Sequence, residues 1–82
     1  MRTTGAIITD LIEQYHRHGR GWMRVTDLQG FTRDELTVAF EELLEDEDFQ
    51  AEPQPFGHRI TEADRQIAPI IGGEARHLIR WG

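Results

Sequence analysis

Four histidines and fifteen carboxylates in 82 residues, with no cysteine, bound the chemistry this chain can perform. Glu13-x-x-His16 and Glu74-x-x-His77 each set a carboxylate and an imidazole three residues apart, the spacing by which helices of di-iron carboxylate bundles present metal ligands. Such a centre also needs two further glutamates on long facing helices. The prolines and glycines of the second half do not allow them, and chance pairs at this spacing are unsurprising in so acidic a chain. His16 and His18 alone would be weak ligands, so neither a metal nor another cofactor is expected. Without cysteine there are no disulfides and no thiolate sites. The chain contains no Gly-rich phosphate loop, nucleophile elbow or Ser/His/Asp arrangement. A chain of this length builds one modest core and no deep lidded cavity, and enzymatic activity is not expected.

The charged groups are more informative. Nine arginines and no lysine face fifteen acids, a net charge of -6 that argues against a nucleic-acid binder relying on gross electrostatic attraction. The balance is uneven. Residues 1–33 carry five arginines against Asp10, Glu13 and Asp27, residues 34–64 carry eleven acids against Arg59, and residues 65–82 carry three arginines against Glu74. The segments therefore stand at +2, -10 and +2. His16, Arg17, Arg20 and Arg24 fall within nine residues, and Arg76, His77 and Arg80 can join them in space to form a basic end. That end reads either as helix-end and loop charge or as a phosphate contact. No apolar run approaches eighteen residues and residues 1–30 lack an export signature, so a soluble cytoplasmic protein without membrane association is expected.

Local patterns give the elements that must position these groups. Ile8, Leu11, Ile12 and Tyr15 follow the i, i+3, i+4, i+7 rule, predicting a helix over residues 4–18. Thr3 or Thr4 can cap its start, Gly19 is placed to end it, and His16, Arg17 and His18 suit its negative end. Residues 22–25 read as a brief strand, with Trp22 as core filling beside it or as an interface anchor, and residues 26–29 as a short second helix before a turn at Gly30. Thr32-Arg33-Asp34-Glu35 is a capping box, and the helix it opens runs to about Glu45 with Leu36, Ala39, Phe40, Leu43 and Leu44 as its buried stripe. Residues 49–52 and 58–61 flank Pro53-Gln54-Pro55-Phe56-Gly57, which predicts a β-hairpin with a five-residue loop. Thr61-Glu62-Ala63-Asp64 is a second capping pattern, opening a short helix that Pro69 or Gly72-Gly73 stops. With no repeat, low-complexity tract or linker, residues 1–82 read as one continuous domain.

Helix, short strand, short helix, turn, capped helix and hairpin follow one another over most of the chain, and in this order the sequence resembles the winged helix-turn-helix family. Residues 22–25 stand for the first strand, 26–45 for the helix-turn-helix and 49–61 for the wing. The run His58-Arg59-Ile60-Thr61-Glu62-Ala63-Asp64 is similar to the end of the wing in MarR-type regulators, where an arginine, an apolar residue and a threonine lead into a helix. Asp64 stands where that pattern usually has glycine. The resemblance implies a small α+β fold of three helices, a β-hairpin wing and a C-terminal extension over residues 62–82. It also implies a transcriptional regulator that reads DNA with helix 33–45 and with the wing around residues 53–59. Its contacts would be Arg17, Arg20, Arg24, Arg33, Thr37, Gln54, His58 and Arg59. The exposed face of the reading helix would show Arg33, Asp34, Thr37, Val38, Glu41 and Glu45, a single cation among carboxylates that phosphate repels.

The other expectation is a winged-helix interaction module that does not bind DNA directly. Its acidic block over residues 41–52 would meet a basic protein partner. The tail over residues 75–81 would place Leu78, Ile79 and Trp81 across the two-fold axis of a homodimer, or else fold back over the chain's own core.

Overall fold

Helix α1 (Thr4–His18) has the bounds that apolar spacing predicts in the computed structural model, which describes residues 2–19, 21–53 and 60–82. Thr3 is extended and its hydroxyl accepts from the Ala6 N–H at 3.2 Å, satisfying one of the free donors of the first turn. Gly19 ends the helix at φ 113°, a conformation a side chain would strain, with its N–H on the Tyr15 carbonyl at 3.1 Å. Ile7, Leu11 and Tyr15 are the buried line, while Ile8 and Ile12 lie half-buried beside it.

Strand β1 (Met23–Arg24) leads into a single 3-10 turn at Val25–Asp27, where the sequence predicts a helix over residues 26–29. Val25 and Leu28 are both buried, and residues three apart eclipse on a 3-10 turn, so one turn is enough to seat both. The stretch before Gly30 is too short to nucleate an α-helix. Trp22 is 40 % exposed and carries the Arg80 guanidinium 4.7 Å from its ring centre, so it does not fill the core as expected.

Helix α2 (Arg33–Leu43) opens on a complete capping box. The Thr32 hydroxyl accepts from the Glu35 N–H at 3.1 Å, and the Glu35 carboxylate accepts from the Thr32 N–H at 2.9 Å. Replacing Thr32 by alanine is expected to lower the unfolding free energy by about 1 kcal/mol in a urea titration. Leu36, Ala39, Phe40 and Leu43 are buried as expected, and Leu44 is half-buried. The helix stops at Leu43 because the Asp46 N–H returns to the Leu43 carbonyl at 2.9 Å and turns the chain towards β2.

The sequence predicts residues 58–61 as the partner of strand β2 (Phe49–Glu52). The strand pairs antiparallel with β5 (Leu78–Trp81), Phe49 facing Trp81 and Glu52 facing Leu78, and β5 pairs with β1 on its other side. The sheet order is β1-β5-β2. Ile60 belongs to no strand and Thr61 caps a helix, while the remaining residues of the expected wing, 54–59, lie outside the described residues. The pairing with the tail is favourable because it brings Leu78 and Ile79, both buried, into the middle of the sheet, where each is covered.

Between β2 and β5 lie helix α3 (Glu62–Ile67) and a hairpin of β3 (Ile70–Ile71) and β4 (Glu74–Ala75). Thr61 caps α3, and the helix ends as Ala68 turns extended ahead of Pro69. Gly72 and Gly73, at φ 64° and 80°, make the two-residue turn of the hairpin, which needs positive φ at both positions, and do not stop the helix.

The architecture is thus α+β, with three α-helices among the described residues and a three-stranded antiparallel sheet whose order is compatible with a winged helix. In the core α1 packs on α2, the Phe40 and Phe49 rings meet edge-on at 5.4 Å, and Trp81 lies 4.7 Å from Phe49 and 4.9 Å from Tyr15. Arg2 ties the start of α1 to the α2 cap by bonding Asp10 at 2.8 Å, the Gly30 carbonyl at 2.8 Å and Glu35 at 3.4 Å. No described helix is long and apolar enough to cross a membrane.

Candidate functional site

The outward face of α2 is the face the helical period predicts. Asp34, Val38, Glu41 and Glu42 are exposed, and Glu45, Asp46, Glu47 and Asp48 continue the exposure through the turn that follows. Among the described residues none of these acids forms a salt bridge. Glu35, at the opposite edge, is held below the usual carboxylate range, chiefly by the Thr32 N–H and further by Arg2.

The residues expected to touch DNA are less free than the sequence implies. Thr37 donates its hydroxyl to the Arg33 carbonyl at 2.8 Å, within its own helix. Arg33 is half-buried and its Nε is enclosed, between a cavity of about 390 Å³ lined by Thr26, Gln66 and Ile67 and a second cavity on its other side. Strand β3 also packs against α2. The helix is therefore flanked on one side by the β3–β4 hairpin. Arg24 donates from Nη2 to the Asp64 carboxylate at 3.0 Å. Arg17 remains open, its side chain 75 % exposed with only Glu13, at 3.8 Å, as an ion-pair partner among the described residues. Arg20, Gln54, His58 and Arg59 lie outside the described residues.

The C-terminal half of the expected basic end, Arg76, His77 and Arg80, is engaged within the fold. Arg76 turns inward and donates to the carbonyls of Ala51 at 2.7 Å and Ile71 at 3.0 Å, anchoring the β3–β4 hairpin to β2. Arg80 bonds the Gln50 side chain at 2.9 Å and covers Trp22. His77 is buried. The tail residues expected at a dimer interface are likewise internal: Ile79 is fully buried, Leu78 nearly so, and Trp81 packs its ring on Tyr15 and Phe49. Glu74 is on β4 and His77 just before β5, so helical ligand spacing does not apply to that pair. Among the described residues no three His, Asp or Glu side chains converge to hold a metal ion.

One constellation escapes sequence reasoning. Asp64 is fully buried, and its Oδ2 accepts from the Thr61 N–H at 2.8 Å, the Thr61 hydroxyl at 2.7 Å and Arg24. Burial by itself raises its pKa. The Thr61 bonds and the fields of Arg24 and His77 outweigh burial and leave it below the usual carboxylate range. The Thr61–Asp64 capping pattern was the available signal. What it lacks is any indication that α3 docks on the 3-10 turn and brings Arg24 across the intervening chain.

No family model, curated protein or solved structure matches this chain.

Proposed function

We propose that this chain is a small interaction module whose acidic α2 face recognises a basic protein surface. The observation that carries this reading is the run of exposed carboxylates from Glu41 to Asp48, none of them in a salt bridge with a described cation. Unpaired charges of one sign on a single face steer a complementary partner and repel phosphate. The packing of β3 against α2 supports the same reading, because it occupies one side of the helix that would enter the major groove.

A labelled arginine-only peptide, titrated at about 50 mM salt and followed by fluorescence anisotropy, tests it. Reversing Glu41 and Glu45 to arginine is expected to weaken peptide binding about tenfold. The same reversal at Asp27 and Glu74 changes net charge equally and should have a much smaller effect. Equal losses from both pairs would mean that only net charge matters, and the α2 face would lose its role.

DNA binding is the second reading, favoured by the element order and by the winged-helix-compatible sheet around an exposed, capped α2. It requires that a random-sequence duplex bind at low salt, that Arg33→Ala weaken this binding and that Glu41→Arg strengthen it. No duplex affinity at about 50 mM salt, where phosphate contacts are strongest, would eliminate it.

A further inference from the structure

A cavity of about 270 Å³ opens between the start of α2, helix α3 and the β3–β4 hairpin. Its sides are apolar, with Ile60 41 % and Ile70 57 % exposed. Two of its polar lining side chains are more than nine-tenths buried, Asp64 and His77. Asp64 Oδ2 is saturated by Thr61 and Arg24, but Asp64 Oδ1 and His77 Nδ1 are enclosed without a hydrogen-bond partner among the described residues. Buried polar groups left in this way are uncommon in native proteins, and two of them on residues lining one cavity would be satisfied by a ligand that can pair with them. Arg33 and Arg65 stand in the same lining. Arg65 reaches Glu62 at 3.6 Å, whereas Arg33 has no carboxylate partner among the described residues.

We propose that this cavity binds a small organic anion consisting of a carboxylate, a compact apolar spacer and a hydroxyl or N–H donor at the far end. The carboxylate meets Arg33, the spacer lies against Ile60 and Ile70, and the donor reaches Asp64 Oδ1, with His77 Nδ1 as the second polar contact. A cationic ligand is disfavoured, because Arg24 already neutralises Asp64 and two more guanidiniums line the cavity. A wholly apolar ligand would leave both enclosed atoms unpaired. Neither atom meets bulk water, so the donor reaches them only with a local shift of the lining side chains. The cavity is below the usual range for drug-sized ligands, which limits the ligand to about ten non-hydrogen atoms. This site is independent of the acidic-face reading.

The probe is trans-4-hydroxycyclohexanecarboxylate, a rigid molecule of that size, titrated into the isotope-labelled full chain and followed by amide shifts. Saturable shifts are expected at Arg33, Asp64, Ile70 and His77. Cyclohexanecarboxylate, lacking the hydroxyl, and 4-methylcyclohexanol, lacking the carboxylate, should each bind about tenfold more weakly. Arg33→Gln should weaken both carboxylates about tenfold and leave 4-methylcyclohexanol unchanged, so that the alcohol reports an intact cavity. Should that variant not fold, the three-ligand comparison on the native chain decides. Equal affinity for all three molecules, shifts confined to other surfaces, or no saturable shift, as for a cavity that holds only water, would overturn the proposal.

Discussion

A chain ending at His77 is expected to show no cooperative unfolding transition and a collapsed amide proton spectrum. The missing residues include β5, which lies between β1 and β2, so both ladders of the sheet are lost together. Leu78, Ile79 and the Trp81 ring leave the core with it. Each such side chain contributes about 1.5–3 kcal/mol when fully buried, while a domain of this size is stable by only about 4–12 kcal/mol in all. The loss is therefore comparable to the whole. Ile79→Ala is the graded form of the experiment and should cost about 2–5 kcal/mol in urea unfolding. A truncated chain that kept dispersed amides would return the tail to the surface and reopen its reading as an interface strand.

Asp64→Ala is expected to cost about 3 kcal/mol. It removes the acceptor of the Thr61 cap and leaves the Arg24 guanidinium without its carboxylate. Arg24 is 40 % exposed and stays partly hydrated, which keeps the loss below the upper end for a severed buried pair. The same residue sets a pH dependence. Its folded pKa lies below its unfolded value of 3.8, so the folded protein takes up this proton less readily than the unfolded chain. The resulting stability is fully present above the unfolded pKa and is lost as pH falls through the lower, folded one. Asp10, lowered chiefly by its bond to Arg2, and Glu35, lowered chiefly by the Thr32 N–H, act in the same direction and persist in an Asp64 variant. Asp64→Asn should accordingly lose stability less steeply than the native chain between about pH 5 and pH 2. Identical acid profiles would show that Asp64 contributes no net stabilisation through its charge.

The elements that were legible in the sequence are those whose forces act over three or four residues. Thr3 and Gly19 bound α1, and the Thr32–Glu35 and Thr61–Asp64 boxes open α2 and α3, because each cap is completed by hydrogen bonds inside its own turn. The acidic outward face of α2 was legible for a similar reason, since helical periodicity separates Leu36, Ala39, Phe40 and Leu43 from Asp34, Val38 and Glu41. Periodicity puts Arg33 and Thr37 on α2, but it does not contain the carbonyl that takes the Thr37 hydroxyl or the enclosure of Arg33. The short stretch before Gly30 went the other way. Two apolar residues three apart suit a helix or a single 3-10 turn equally well, and only packing chose between them.

Strand pairing and the availability of charges were decided by tertiary structure. Prolines and a glycine after Glu52 make a local hairpin the obvious reading, yet β2 pairs with the distant tail because β5 buries Leu78 and Ile79 in the centre of the sheet. Arg24 and Arg76 look like free cations in the sequence. Folding brings one to a buried carboxylate forty residues away and the other to two backbone carbonyls. Local hydrogen bonding and periodicity determined the helices and the acidic face. Long-range pairing depends on how much apolar surface each alternative buries, a competition no short window of sequence contains, and only the tertiary structure resolved it.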